Sequence, residues 1–116
     1  MIGLSDYFGK DVSPRCFDIG DLVRHKIHGY RGVIVGFDSV CKAHDNWYNS
    51  NKTQPPRDQP WYNVLVHDSG GLSTYAAQSN LEADASERPI NHPRIGCYFK
   101  AFEDGRYVPH AKKPQY

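Results

Sequence analysis

Two short runs place metal-ligating side chains close together, His25-x-x-His28 and Cys41-x-x-His44. Four such borderline-soft groups suit tetrahedral zinc. The spacing argues otherwise, because strand residues three apart point to opposite faces and neither run is a two-cysteine knuckle. Cys41 with Lys42 and His44 also offers a thiol beside a base and a cation, the conditions that make a nucleophile. No cysteine-enzyme signature surrounds it. Ser69-Gly70-Gly71 lacks the lysine and the helix of a phosphate loop, and Glu103-Asp104 before Gly105 is accounted for by turn chemistry. The expectation is a non-catalytic chain with no metal and no cofactor.

Two further groups bear on binding. From Leu22 to Phe37 there is no acidic residue, while Arg24, His25, Lys26, His28, Tyr30 and Arg31 all occur there. On a strand, Arg24 and Lys26 share one face, and Arg31 lies just past the next turn. This geometry tracks two or three phosphates of DNA, with His25 and Tyr30 beside them. A solvated strand edge guarded by charge accounts for the same residues. The second group is Trp47, Gln59, Trp61 and Tyr62 around a proline-rich stretch, which reads as a groove for a protein segment or as a cap on the core.

The elements that must position these groups follow from composition. The chain has 116 residues, enough for one domain, and a net charge of +1. No broad basic surface is available, so any polyanion site is local. Fourteen Val and Ile against five Leu, with fifteen aromatics, favour pleated strands, and ten Gly with eight Pro keep them short. Strands are expected at 22–27, with Val23, His25 and Ile27 on one face, and at 31–38, with Val33, Val35 and Phe37 on one face. Two more are expected at 61–68 and 72–77, joined by the Ser69-Gly70-Gly71 turn. Residues 39–60 read as a long loop, and 82–89 as an acidic linker. Ile95, Tyr98, Phe99 and Phe102 fall at helical spacing, which predicts a short helix over 93–102, with 106–108 extended behind it.

A flexible arm is expected at 1–16, the domain at 17–110 and a tail at 111–116. No apolar run approaches a membrane span, and the first twenty residues lack a signal-peptide pattern, so the expectation is a cytoplasmic or nuclear protein without membrane partners. Cys16, Cys41 and Cys97, odd in number and widely spaced, read as reduced thiols.

Arg24-His25, Gly29-Tyr30-x-Gly32-Val33-Ile34, Asp38, Gln59-Pro60-Trp61-Tyr62-x-Val64-Leu65-Val66, Asp68, Tyr75-Ala76-Ala77 and Asn80-Leu81 resemble the YccV-like family, also called the hemimethylated-DNA-binding or HspQ-like domain. The resemblance runs over about residues 17–108. The Cys41 to Trp47 loop and the tail Ile90-x-His92-Pro93, Tyr98-Phe99, Phe102 and Tyr107-x-Pro109 look like the extended form at the C-terminus of an F-box protein rather than the compact bacterial heat-shock form. The resemblance implies a mostly β fold, a small SH3-like antiparallel barrel with a long inserted loop and a short C-terminal helix. It implies binding of hemimethylated DNA, or an adaptor role in protein quality control with a Clp-type protease or a ubiquitin-ligase component as partner. The longer loop and the tail depart from the compact bacterial form and are expected to cover surfaces that a bacterial partner would use.

Overall fold

The computed structural model describes residues 13–110. Among the described residues, seven strands form two antiparallel sheets. β1 (Leu22–His25), β2 (Arg31–Asp38), β3 (Trp61–Val66), β4 (Ser73–Ala77) and β5 (Leu81–Ala83) make one sheet in the order β4-β3-β2-β1-β5. β6 (Phe99–Glu103) and β7 (Arg106–Pro109) make the other. A 3₁₀ turn, Gln78–Asn80, links β4 to β5. The five-stranded sheet wraps one core, because every strand contributes to it: Val23, Ile34, Tyr62, Val64, Ala76 and Leu81. Among the described residues β4 and β5 each pair on one side only, so the barrel is open along one seam.

Alternation sends the remaining apolar residues to the outer face, where two covers bury them. Leu22, Val33 and Leu65 lie in register across β1, β2 and β3, and the C-terminal segment covers them with Ile90, Phe99 and Tyr107. Trp61 and Ala77 lie opposite each other at the far end of the sheet, where Cys41, Ala43 and Tyr48 of the long loop close over them. Burial of Trp61 to 2% exposure makes it a principal anchor of that cover.

β2 occurs over the expected residues, but its faces do not run straight through. The β2–β3 register shifts between Ile34 and Gly36, and this irregularity moves Phe37 to the side of Tyr62 instead of that of Val33. Phe37 stays partly exposed under the Arg15 guanidinium, 4.0 Å from its ring centroid.

Four other expectations are corrected. β1 stops at His25, and Ile27 sits in the turn, 56% exposed. The 39–60 segment carries a helix, α1 (Asp45–Ser50), whose N-cap His44 accepts from Asn46 N. Leu81–Ala83, on the border of the expected acidic linker, is a strand pairing with β1. The C-terminal helix α2 covers only Ile95–Tyr98, and Phe99–Glu103 is extended. Asp104-Gly105 is a two-residue hairpin loop with φ of 54° and 77°, the conformation that pairs β6 with β7. The hairpin docks through Gly20, whose carbonyl accepts from Tyr107 N at 2.9 Å, and through Arg106, paired with Asp21 at 3.0 Å.

Of the expected arm, residues 13–16 are held: Gln78 Nε2 donates to Pro14 O and Gln78 Oε1 accepts from Cys16 N. Residues 1–12 and the expected tail at 111–116 lie outside the described residues.

Candidate functional site

His25 ends β1, and its side chain organises the turn that follows. Its Nδ1 accepts from Ile27 N at 3.2 Å and His28 N at 3.0 Å, which assigns the proton of the neutral ring to Nε2. Burial and the neighbouring His28 hold its pKa below the usual histidine value. The two rings stack at 4.5 Å. Tyr30 packs 5.0 Å from His25, and burial pushes its hydroxyl up to about 12 against the opposing pull of Thr74.

Across the open seam stand aromatic residues on β3, β4 and α1. Trp61 and Tyr75 lie tilted at 5.3 Å, and Trp47 meets both edge-on at 6.1 and 5.8 Å. Tyr75 is fixed by donating to Asp38 Oδ2 at 2.6 Å while accepting from Lys42 N at 3.0 Å, and burial is the largest cause of its raised pKa. Trp47 remains 37% exposed. Between the two groups runs a cleft of about 90 Å³, lined by His25, His28 and Tyr30 on one side and by Trp47, Trp61 and Tyr75 on the other. Among the described residues, none that lines it is Asp, Glu, Lys or Arg.

The expected basic patch is reduced by what the fold brings to it. Arg24 and Lys26 are exposed and make no ion pair among the described residues, and Arg24 Nη1 donates to Gly29 O. Glu82 of β5 lies directly opposite Arg24, however, which lowers the local positive potential. Arg31 is turned inward: its Nε donates to Asp84 Oδ2 at 2.6 Å and Nη2 to Arg88 O, with side-chain exposures of 10% and 3% for Arg31 and Asp84. Burial pushes the Asp84 carboxyl up, but hydrogen bonds from Arg31 and Ser86 outweigh it and leave the pKa lowered. Arg31 is therefore a structural ion-pair residue and not part of an exposed patch, and His25 is 5% exposed.

The second expected group divides in a similar way. Tyr62 lies in the core with its hydroxyl on Gln78 Oε1, and burial raises its pKa. Gln59 is buried, accepting from Ser79 N and donating to Pro56 O. Trp61 is a core residue whose Nε1 donates to Pro56 O, so Trp47 alone of the four reaches the surface. Cys41 is buried under the α1 loop, and the described residues hold no cluster of three metal-ligating side chains. Tyr75 was missed by sequence reasoning. Its position in a strand of small and hydroxyl residues carried no signal that the loop would place Trp47 against it.

The family model described as "Hemimethylated DNA-binding protein YccV like" matches residues 15–106. F-box only protein 21 of Homo sapiens and of Pongo abelii is 41% identical over 111 residues, 93% of this chain and 17% of the relative. The Mus musculus protein of that name is 42% identical over 100 residues, 84% of this chain and 16% of the relative. The chain thus spans about a sixth of the length of these relatives. With a family match over most of its length, the chain belongs to the YccV-like family.

Proposed function

We propose that this chain is a non-catalytic binding module whose ligand is a segment of another protein, held in the cleft between the β1–β2 turn and the α1 loop. One observation carries the reading: His25, His28 and Tyr30, and Trp47, Trp61 and Tyr75, come from separate parts of the sequence yet line one cleft. Aromatic walls without formal charge complement peptide groups better than phosphates. The likeness to the F-box protein form implies a setting in ubiquitin ligation, in the cytoplasm or nucleus, and a protease adaptor would use a surface of the same kind.

The test is selection of a displayed random-peptide library on the protein, followed by titration of the enriched peptides against Trp47→Ala. Loss of a central aromatic anchor is expected to weaken binding about thirtyfold, the effect of roughly 2 kcal/mol. Equal binding to a folded Trp47→Ala protein would sink the reading.

One observation favours a second ligand, DNA: the matched family is described by hemimethylated-DNA binding, and Arg24 and Lys26 are exposed cations free of ion pairs among the described residues. Fluorescence anisotropy with hemimethylated, fully methylated and unmethylated duplexes decides it. A hemimethylated preference that disappears in the Arg24→Glu, Lys26→Glu double variant supports this reading, and no binding at low salt removes it.

A further inference from the structure

The β1–β2 turn depends on one side-chain acceptor. Its ends are pinned by main chain: Lys26 N donates to Asn80 O at 2.8 Å, Gly29 N to His25 O at 2.9 Å and His25 N to Tyr30 O at 2.8 Å. Between them, Ile27 N and His28 N bond only to His25 Nδ1 among the described residues. No burial of the turn compensates, since Lys26, Ile27, His28 and Gly29 are all exposed. His25 itself is buried, stacked on His28 and packed against Tyr30.

A neutral imidazole holds this turn and an imidazolium cannot. The neutral ring carries its proton on Nε2, so a second proton has only Nδ1 to go to. Nδ1–H then confronts two N–H donors, and both amides lose their acceptor. The surroundings do not offset this. On the turn itself stand Lys26, a cation, and His28, whose charge when protonated opposes that of His25. On β2, Tyr30 is neutral in mild acid and Arg31 is committed to Asp84. On β5, Glu82 lies opposite Arg24, and the partner of His25 is Leu81. On β4, Tyr75 is neutral, its hydroxyl donating to Asp38. The α1 loop faces the cleft with Trp47, Asn51, Thr53 and Pro55 and the 3₁₀ turn with Asn80, none of them titratable.

We infer that the β1–β2 turn is an acid-operated wall of the cleft: a proton taken up at His25 Nδ1 parts the ring from Ile27 N and His28 N, and residues 26–28 open while the sheet stays folded. The pinned ends confine the opening to the turn. His25 and His28 both line the cleft, so one wall is displaced. The facing wall is held by separate bonds, from Trp61 Nε1 to Pro56 O and from the Tyr75 hydroxyl to Asp38. Proton uptake and occupancy therefore oppose each other, and a ligand held against the intact wall leaves in acid. That consequence rests on the protein-ligand reading above; the opening of the turn does not.

The test is NMR of the full chain without ligand between about pH 7 and pH 5. Ring ¹⁵N shifts report the protonation of His25, and hydrogen exchange, corrected for its intrinsic pH dependence, reports the turn. Protection of the Ile27 and His28 amides is expected to fall about tenfold as His25 titrates, while the cross-strand contacts of Val33 with Leu65 and Ile34 with Val64 persist. In His25→Asn, which offers the amides an oxygen that does not titrate, protection should stay level; the measurement on the parent stands without it. Undiminished protection while His25 gains its proton overturns the inference, as does a ring that stays neutral throughout. Loss of the cross-strand contacts together with the turn shows unfolding instead of opening and overturns it too. So does an effect that persists in His25→Asn and vanishes in His28→Asn.

Peptides enriched on the protein, chosen without His, Asp or Glu, are then titrated at the two ends of the range. Affinity about tenfold lower in acid is expected for the parent, with a smaller ratio for His25→Asn. Equal affinity at both ends with the turn open overturns control of the cleft. Insensitivity of the same peptides to Trp47→Ala overturns the protein-ligand reading and leaves the opening of the turn standing.

Discussion

Arg31 Nε donates to Asp84 Oδ2 at 2.6 Å, joining the first residue of β2 to the residue that follows β5. Both side chains are nearly excluded from water, so the pair is held by charge-assisted bonds in a place where neither ion can stand alone. Asp84→Ala leaves the Arg31 guanidinium buried without its counter-charge and is expected to cost about 3–5 kcal/mol. Urea unfolding of the two proteins measures it. A loss below about 1 kcal/mol would show that Arg31 finds water in the variant, the surface behaviour of an exposed pair.

Gly20 adopts φ 99°, and a Cβ placed there would run into the Tyr107 carbonyl of the docked hairpin. Gly20→Ala therefore combines strained backbone with a clash against main chain that cannot swing aside. The expected result is a loss of about 2–4 kcal/mol, with β6 and β7 amides exchanging faster than those of β3. Uniform acceleration across both sheets would contradict it, because the hairpin is attached on the outer face of the barrel.

The stability of the fold is expected to fall in mild acid because of His25. Its folded pKa is lowered from 6.5, so on acidification the unfolded chain takes up the proton first and unfolding is favoured. The loss begins below that ordinary value and levels off once the pH passes below the folded pKa. His25→Asn keeps an acceptor for the turn amides without a titrating ring. The loss between about pH 7 and pH 5 should be larger for the parent protein than for this variant. Identical pH profiles in thermal unfolding would show that His25 does not control the effect.

Duplex DNA is expected to bind weakly, since the exposed patch retains Arg24 and Lys26 with Glu82 across from Arg24. Two phosphate contacts give a slope of log affinity on log salt of about −1.8. An anisotropy titration over several salt concentrations reads that slope. A value beyond about −4 would require cations that this surface does not supply.

The segment from Leu22 to Phe37 shows how far the sequence leads. Its alternation marks β2 over the residues where it occurs, and its freedom from acid is real. Yet Glu82 and Asp84, some fifty to sixty positions later, pair back against Arg24 and Arg31. β5 is too short for a period to reveal it, with Leu81 its one buried residue. Phe99 to Glu103 failed for a different reason: Ile95, Tyr98, Phe99 and Phe102 have helical spacing, but Asp104-Gly105 demands a hairpin, and the stronger turn preference prevails. Trp61 and Tyr62 are legible as large aromatics flanking a loop; the loop's return buries Trp61, while strand alternation turns Tyr62 into the core of the five-stranded sheet.

The pairing of β1 with β5 has a kinetic consequence. Val23 meets Ala83 only after roughly sixty intervening residues have been ordered, and Arg106 reaches Asp21 across 85 positions. Such closures must be made before their contacts give any return, so chain topology, rather than local propensity, sets the folding rate. Folding on the millisecond-to-second scale follows for a sheet built this way. The β1–β2 and β3–β4 hairpins, whose strands are joined by short turns, are the natural early structure, and β5 with the docking of the C-terminal hairpin arrives last.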